Sequence, residues 1–344
     1  MISEAFDQIK YRTLAYARLA LYSLESLPIQ WSRRWIDQNS IPPSELPKSR
    51  HQDLLQSFES MVRKDIANIR QGLYTSDLVG PENPTQHLSR YLKIFTDSLF
   101  SSYRKSLGVN KHFSEEASVH LEDLPDYYKR NFHFQTDGYL SEQSAQFYGH
   151  QTEILFRGTL DLMRRSLLGG VLREIQESNG PLHLLELGCG AGELTRILAQ
   201  SGEQVKIHAI DLSQPYLEMA QSRSYSNSNV TFQRADAETY SSSEKYDYIF
   251  SGYMFHELPD DVRRAIVENA FSLLKPGGKF VLLDSLQKDD DSRFNWALEQ
   301  FPKQFHEPFY KNYIAKPLEP LMKKHFSDVT TEVAFLSKAI TAKK

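Results

Sequence analysis

A single cysteine, Cys189, in 344 residues excludes an intrachain disulfide and any multi-cysteine zinc or iron–sulfur site, which suits a reducing cytoplasm. Long apolar runs are missing as well. No stretch reaches the roughly 18 apolar residues that a membrane span requires, and Arg18 interrupts even the apolar segment around Leu14 to Leu24. Glu4 and Asp7 stand where a signal peptide would carry basic residues, so a cytoplasmic, soluble protein is expected, with peripheral membrane contact left open. An excess of positive charge is also absent. With 40 Lys and Arg against 44 Asp and Glu, the net charge of −4 gives no overall basic field to hold a phosphate backbone, and no nucleic-acid partner is expected. What is present is a globular balance, 40% hydrophobic and 24% charged, on a chain longer than one average domain.

Residues 1–130 read as a helical domain that serves as an accessory, a cap or a dimerisation unit. Leu14, Ala17, Leu21 and Leu24 recur at helical spacing, as do Leu55, Phe58, Val62, Ile66 and Ile69, then Leu88, Leu92, Phe95 and Leu99. Each stripe predicts one buried face. Breaks are expected at Ile41-Pro42-Pro43 and at Gly80-Pro81-Glu82-Asn83-Pro84. The next segment is aromatic and polar, His133 to Tyr139, and leads into an expected helix from about Ser141 to Met163. Gly169-Gly170 then predicts a break before a short helix over Val171 to Glu177, and Arg164-Arg165 reads as a solvated helix face.

From Leu182 onward short apolar runs alternate with helical patterns. Leu182 to Leu187, Val205 to Ile210, Val230 to Arg234, Tyr246 to Ser251 and Lys279 to Asp284 predict buried strands, with helices at Gly192 to Ser201, Gln214 to Ser222 and Asp260 to Leu274. That order is a doubly wound α/β sheet. Two tail segments, Phe326 to Phe335 and Ser337 to Thr341, would add an antiparallel edge and bring the sheet to seven strands.

The first strand runs straight into Gly188-Cys189-Gly190-Ala191-Gly192 and then a helix, so backbone amides and a helix start face a ligand at the carboxyl end of the sheet. A dinucleotide fingerprint would read G-x-G-x-x-G. Here the third glycine falls one residue early and Glu193 takes its place, which weakens that reading. Asp211 follows the second strand, where a carboxylate accepts hydrogen bonds from ribose hydroxyls, and Asp236 follows the third, placed to meet a purine edge. With Glu186 in the first strand, the set outlines a nucleoside that carries an amino-acid tail. Cys189, inside the loop, is read as packing rather than as a nucleophile.

These residues, together with Leu273-Leu274-Lys275-Pro276-Gly277-Gly278, resemble the successive motifs of class I S-adenosylmethionine-dependent methyltransferases over Leu182 to Asp284, nearly a third of the chain. The nearest flavour is the small-molecule branch with the ubiquinone and menaquinone methyltransferases, Tyr253-Met254-Phe255-His256-Glu257-Leu258 standing after the fourth strand. The resemblance implies a Rossmann-like methyltransferase domain over 131–344, with lid segments at 131–168 and 295–313. It also implies S-adenosyl-L-methionine as cofactor, S-adenosyl-L-homocysteine as product, and Glu186 with Gly188, Cys189, Gly190 and Gly192 at the methionine part. Asp211 and Leu212 would meet the ribose and Asp236 and Ala237 the adenine, with Ser251 beside them.

On the acceptor side, methyl transfer needs an in-line lone pair, and a base only where the acceptor holds a proton. His256 and Glu257 sit at the end of the fourth strand, where His256 either takes a proton or caps the next helix. A second pair, His306-Glu307, precedes Tyr310 in an aromatic insertion, and Phe294, Trp296, Phe301, Phe305 and Phe309 either line an apolar cavity or pack a helix pair. Tyr139 follows the turn-forming Asp137-Gly138 and points inward. Neither His-Glu pair has the H-x-x-x-H spacing of a helical metal site, so no metal is expected. The reading is methyl transfer to a small, partly hydrophobic molecule, with a homodimer formed through the helical domain. Its alternatives are methylation of a protein or RNA, although Ser251-Gly252-Tyr253-Met254 lacks the Asn/Asp-Pro-Pro-Tyr/Phe pattern of base-amino enzymes, and a non-catalytic scaffold.

Overall fold

A computed structural model describes residues 2–36, 47–78, 83–223, 225 and 227–344. The expected break at Ile41-Pro42-Pro43 lies outside the described residues, as does Gly80-Pro81-Glu82. Three long helices open the chain: α1 (Ile2–Ile36), α2 (Lys48–Arg70) and α3 (Pro84–Leu107). Asn83 caps α3 by accepting from Thr85 N and Gln86 N, and Pro84 takes the first turn, where no amide is needed. The short α4 (Glu115–Ser118) and the helices α5 (Glu142–Leu155) and α6 (Leu160–Glu177) lead to the sheet.

The sheet is built from β1 (Leu182–Leu187), β2 (Val205–Asp211), β3 (Val230–Arg234), β4 (Tyr246–Gly252), β5 (Leu274–Ser285), β6 (Asp328–Ala334) and β7 (Ser337–Lys343). Its helices are α7 (Glu193–Leu198), α8 (Gln214–Ser222), α9 (Asp260–Leu273), α10 (Asn295–Gln304), α11 (Tyr310–Ala315) and α12 (Glu319–Met322). The strand order is β3-β2-β1-β4-β5-β7-β6, with β1 to β5 parallel and β7 antiparallel to both neighbours. The seven-stranded Rossmann-like sheet is thus as expected. Alternate strand residues serve opposite faces. Leu185, Leu187, Ile249 and Leu282 pack on Val262, Ile266 and Ala270 of α9, whereas Leu184, Phe250 and Val281 pack on Leu172 and Ile175 of α6 and on Ile197 of α7. Winding reverses between β1 and β4, and in such sheets a crevice opens at that point.

Four local expectations are corrected by packing. First, one helix over Ser141 to Met163 is instead two, parted at Arg157 and Gly158, both at positive φ. Gly158 meets α1 so closely that a Cβ there would lie 2.9 Å from the Arg18 carbonyl oxygen, so the helix ends where α1 crosses it. Second, Gly169-Gly170 does not break α6, because glycine is used there for approach rather than for a turn: a Cβ on Gly169 would come within 2.5 Å of the Asn68 side chain of α2. Third, Arg164 and Arg165 are buried, not solvated. Arg165 makes two bonds to Asp65 at 2.9 and 3.0 Å, and Arg164 pairs with Asp161 at 2.6 Å beneath the Tyr253 ring.

The fourth correction concerns α1 and α3. Leu21 and Leu24, and likewise Leu88 and Leu92, face outward, as does Leu55 of α2. The faces that α1 and α3 bury hold mainly small or polar residues: Tyr22, Glu25, Ser26 and Ile29 on α1, then Ile94, Asp97, Ser98, Ser101 and Ser102 on α3. Polar pairing explains why. Glu25 reaches His87 of α3 at 2.7 Å and His150 of α5 at 3.0 Å, joining three helices through one carboxylate. The α2 stripe behaves as expected beyond Leu55, since Phe58 and Val62 pack with Leu160, Met163 and Leu283 in one core. The N-terminal helices therefore share cores with the sheet.

Candidate active site

The end of β1 turns through Gly188, Gly190 and Gly192, all at positive φ. Gly188 and Cys189 both donate to the Ile210 carbonyl, at 2.9 and 3.0 Å, which draws the turn over the end of β2. A Cβ at Gly188 would collide with the Met254 sulfur, so only glycine leaves this floor open. Asp211 is fixed by two backbone amides, accepting from Gly190 N and Ser213 N at 2.8 Å each. Asp236 accepts from Glu238 N at 2.9 Å and so holds the turn after β3.

A cleft opens over these residues. Gly188, Gly190, Asp211, Leu212, Asp236 and Ala237 line it from the sheet side, and Tyr127, Tyr128 and Tyr139 close it from the segment before α5. Glu186, Cys189, Gly192 and Ser251, also expected at the cofactor, do not line the cleft. Glu186 is buried beneath it and accepts from Thr195 Oγ1 at 2.6 Å, with its carboxyl pushed up to about 8 by burial. The Cys189 side chain packs with Ala209 and Leu217, and burial pushes its thiol up, which removes the thiolate that a nucleophile needs. Gly192 is needed for the approach of Tyr225, whose hydroxyl a Cβ would strike.

Burial raises the Asp211 carboxyl to about 6, against the opposing pull of its two amide donors. If Asp211 holds a ribose hydroxyl, as the sequence resemblance implies, it does so as the carboxylate rather than as the acid, and affinity for S-adenosylhomocysteine would then fall as pH drops through about 6. Calorimetric titration between pH 5 and 8 reads this out. An affinity flat across that range would remove Asp211 from the binding role.

A second cavity adjoins the first, sharing Tyr148, Tyr253 and Glu257 with it, and is lined further by His133, His256, Phe301 and Tyr310. His256 is held from behind. Its Nδ1 lies 2.7 Å from Asp284 Oδ1 at the end of β5, and Asp284 Oδ2 also accepts from Phe255 N at 2.8 Å. That leaves Nε2 on the cavity side, 3.8 Å from Glu257 Oε1. Burial disfavours the imidazolium, but Asp284, Glu257 and Glu307 outweigh it and raise His256 to about 9. Tyr139 donates to Glu257 Oε1 at 2.5 Å, and Tyr310 shares a hydrogen bond with Ser285 at 2.8 Å, so both expected tyrosines reach the site.

His306 does not line either cavity; a residue from the lid, His133, lines the second one instead, backed by the buried Glu307. His133 sits at φ 55, a left-handed conformation costly for a residue with a Cβ. It brings Nδ1 to 2.9 Å from Glu307 Oε1, in a contact too bent for a hydrogen bond, and Nε2 to 3.5 Å from Glu257. Desolvation opposes its charge, but Glu307 and Glu257 prevail and raise it to about 10. Its backbone amide also donates to the His306 carbonyl at 3.2 Å. One histidine thus ties the segment before α5 to the insertion after β5. The three groups put ligand-type atoms within 4.8 Å of one another.

Five parallel strands with an antiparallel edge, a glycine turn leaving β1 and acids after β2 and β3 place the protein in the Rossmann-like class. The comparisons with known proteins carry this further. Residues 184–278 match the methyltransferase domain family. An uncharacterized methyltransferase of Geobacillus kaustophilus is 30% identical over 172 residues, 49% of this chain and 75% of that protein. The chain belongs to the S-adenosylmethionine-dependent methyltransferases. A demethylmenaquinone methyltransferase of Leptospira interrogans is 31% identical over 36% of this chain and 51% of its own length. Malonyl-[acyl-carrier protein] O-methyltransferase 1 of Ilyobacter polytropus is 31% identical over 30% of this chain and 38% of its own. The chain spans 38 to 55% of the first such relatives. No described helix is long and apolar enough to cross a membrane.

Proposed function

We propose that this protein transfers a methyl group from S-adenosylmethionine to a small, partly hydrophobic acceptor seated in the second cavity. The observation that carries the reading is the junction of the two cavities at Tyr148, Tyr253 and Glu257, with His256 lining the second of them beside that junction. The cleft fits this cofactor: Gly188 leaves room where a side chain would collide with Met254, Asp211 and Asp236 offer carboxylate acceptors, and three tyrosines supply aromatic faces. When bound, the cofactor supplies a methyl on a sulfonium, whose departing bond leaves its electron pair on sulfur. The chain does the rest. His256 Nε2 takes the proton of the acceptor's O–H or N–H, Asp284 holds the ring and stabilises the imidazolium, and Tyr139, Glu257 and His133 shape the wall between the two chambers.

Incubation of the protein with methyl-labelled cofactor and a fractionated cell extract tests this. Label is expected in the small-molecule fraction, and label confined to protein or RNA would overturn the acceptor class. No binding of S-adenosylhomocysteine would leave a scaffold and overturn the enzyme.

The homodimer has an apolar surface to use. Leu24, Leu27, Trp31 and Trp35 of α1, with Leu88 and Leu92 of α3, are more than half exposed. A particle of twice the 39.8 kDa chain mass in sedimentation velocity is the expected outcome, and Trp31→Glu would return it to one chain.

A further inference from the structure

Beyond the acceptor cavity lies a third, larger chamber, and the two share His133, Tyr148, Thr152 and Leu155. Its walls are α1, α3, α5 and α10, so the N-terminal helices form the outer half of a passage that leads to the methyl-transfer centre. Charge divides along this passage. Among the described residues, the two inner cavities are lined by Asp211, Asp236 and Glu257 with no lysine or arginine. The outer chamber is lined, among the described residues, by Arg33, Arg34, Lys105 and Arg157 with no aspartate or glutamate. A chain of net charge −4 thus gathers four cations around one cavity.

Two of these cations, both half-buried, have no carboxylate within ion-pair distance among the described residues. Arg33 lies over the Phe305 ring at 5.1 Å, and burial pulls it down to about 10 with only the more distant charge of Asp97 opposing. Arg157 is held at φ 56 beside Gly158, and burial lowers it too. From Arg33 inward the wall is aromatic. Phe305 meets Phe301 at 5.0 Å, Phe301 meets Tyr310 at 4.9 Å, and Tyr310 meets His256 at 6.0 Å.

We infer that the methyl acceptor is an elongated amphipathic molecule whose far end is an oxyanion, a carboxylate or a phosphate monoester, held by Arg33 and Arg157, with its apolar body along Phe305 and Phe301. The inference rests on the acceptor reading proposed above and gives the N-terminal helices a role in catalysis, since they select the substrate by its charged end. The cationic outer chamber repels a positively charged acceptor, and the apolar wall disfavours a fully polar one.

The test is fluorescence binding of dansyl-labelled undecanoic acid to the full chain, with competition by laurate, dodecyl phosphate and dodecanol. Saturable binding of the probe is expected, displaced by either acid and not by dodecanol at the same concentration; the stronger acid competitor identifies the oxyanion. Arg33→Gln and Arg157→Gln should each weaken the probe on the order of 10- to 100-fold, the loss of one charge-assisted bond. Their affinity for S-adenosylhomocysteine should stay at the wild-type value, which also shows that they fold. Dodecanol competing as well as the acids, or both variants binding the probe as wild type does, would overturn the inference and leave the methyltransferase reading standing. A wild-type protein that binds no S-adenosylhomocysteine would instead strike that reading itself.

Discussion

Replacing His256 with alanine is expected to lower kcat by about 10²- to 10⁴-fold, the usual worth of a positioned base, while affinity for S-adenosylhomocysteine stays nearly unchanged. The split follows from geometry. His256 lines the acceptor cavity and not the cofactor cleft, and its ring is anchored by Asp284 at 2.7 Å on the side away from the acceptor. The pH profile carries a second signature with a definite sign. Asp284, Glu257 and Glu307 overcome burial and hold the free protein's imidazole at about 9, while Tyr310 and Tyr313 face it as neutral rings. The base form is therefore scarce at neutral pH, and kcat/KM should rise with pH toward about 9; the positive charge of a bound sulfonium moves that limb lower. His256→Ala should lose the limb together with the rate. Asp284→Asn should keep the ring in place, reduce the rate less than His256→Ala, and shift the limb to lower pH because a neutral amide no longer stabilises the imidazolium. A variant that loses cofactor affinity and turnover together would show that His256 only supports the loop after β4.

What the sequence made legible was what lies close in the chain. The β1 turn, Asp211 and Asp236 line one cleft, the one proposed for the cofactor, because each follows a strand end directly, and parallel strands bring their carboxyl ends to one side. The acceptor site is assembled across long separations. Asp284 supports His256 from 28 residues away, and its position at a strand end carries no local mark of that role. His133 reaches Glu257 and Glu307 through a backbone conformation that residue type does not announce, so His306 looked like the functional member of its pair. Glycines were ambiguous for a physical reason. Gly158 ends a helix and Gly169 lets two helices touch, and both arise from the same missing Cβ. The leucine stripes of α1 and α3 misled because the interface between these helices is built on Glu25, His87 and a run of serines, which leaves the leucines to the surface.

The same preference for polar contact between helices underlies the largest expected change in stability, that of Asp65→Ala. Asp65 on α2 accepts both guanidinium bonds of Arg165 on α6 and, at 2.7 Å, the hydroxyl of Tyr74. All three residues are buried. Desolvation alone would depress the Arg165 guanidinium, but Asp65, ahead of Tyr74 and Asp161, reverses this and holds it above its ordinary value, so the charge is present and leans chiefly on this carboxylate. Alanine would strand a buried cation and a phenol together. Breaking a buried pair in this way costs about 3–5 kcal/mol, a large share of the roughly 5–15 kcal/mol that keeps a domain folded. Urea unfolding should show the midpoint falling at an unchanged slope. The double variant Asp65→Ala, Arg165→Met should recover much of the loss, because it removes the stranded charge and returns a flexible apolar chain to the gap. A single-variant loss below about 1 kcal/mol would mean that water reaches Arg165 and that the pair is no anchor. Because α2 packs on α6, and α6 in turn covers one face of the sheet beneath the cofactor cleft, the destabilised variant should also unfold at a lower temperature when S-adenosylhomocysteine is bound, by about the same free energy as without it.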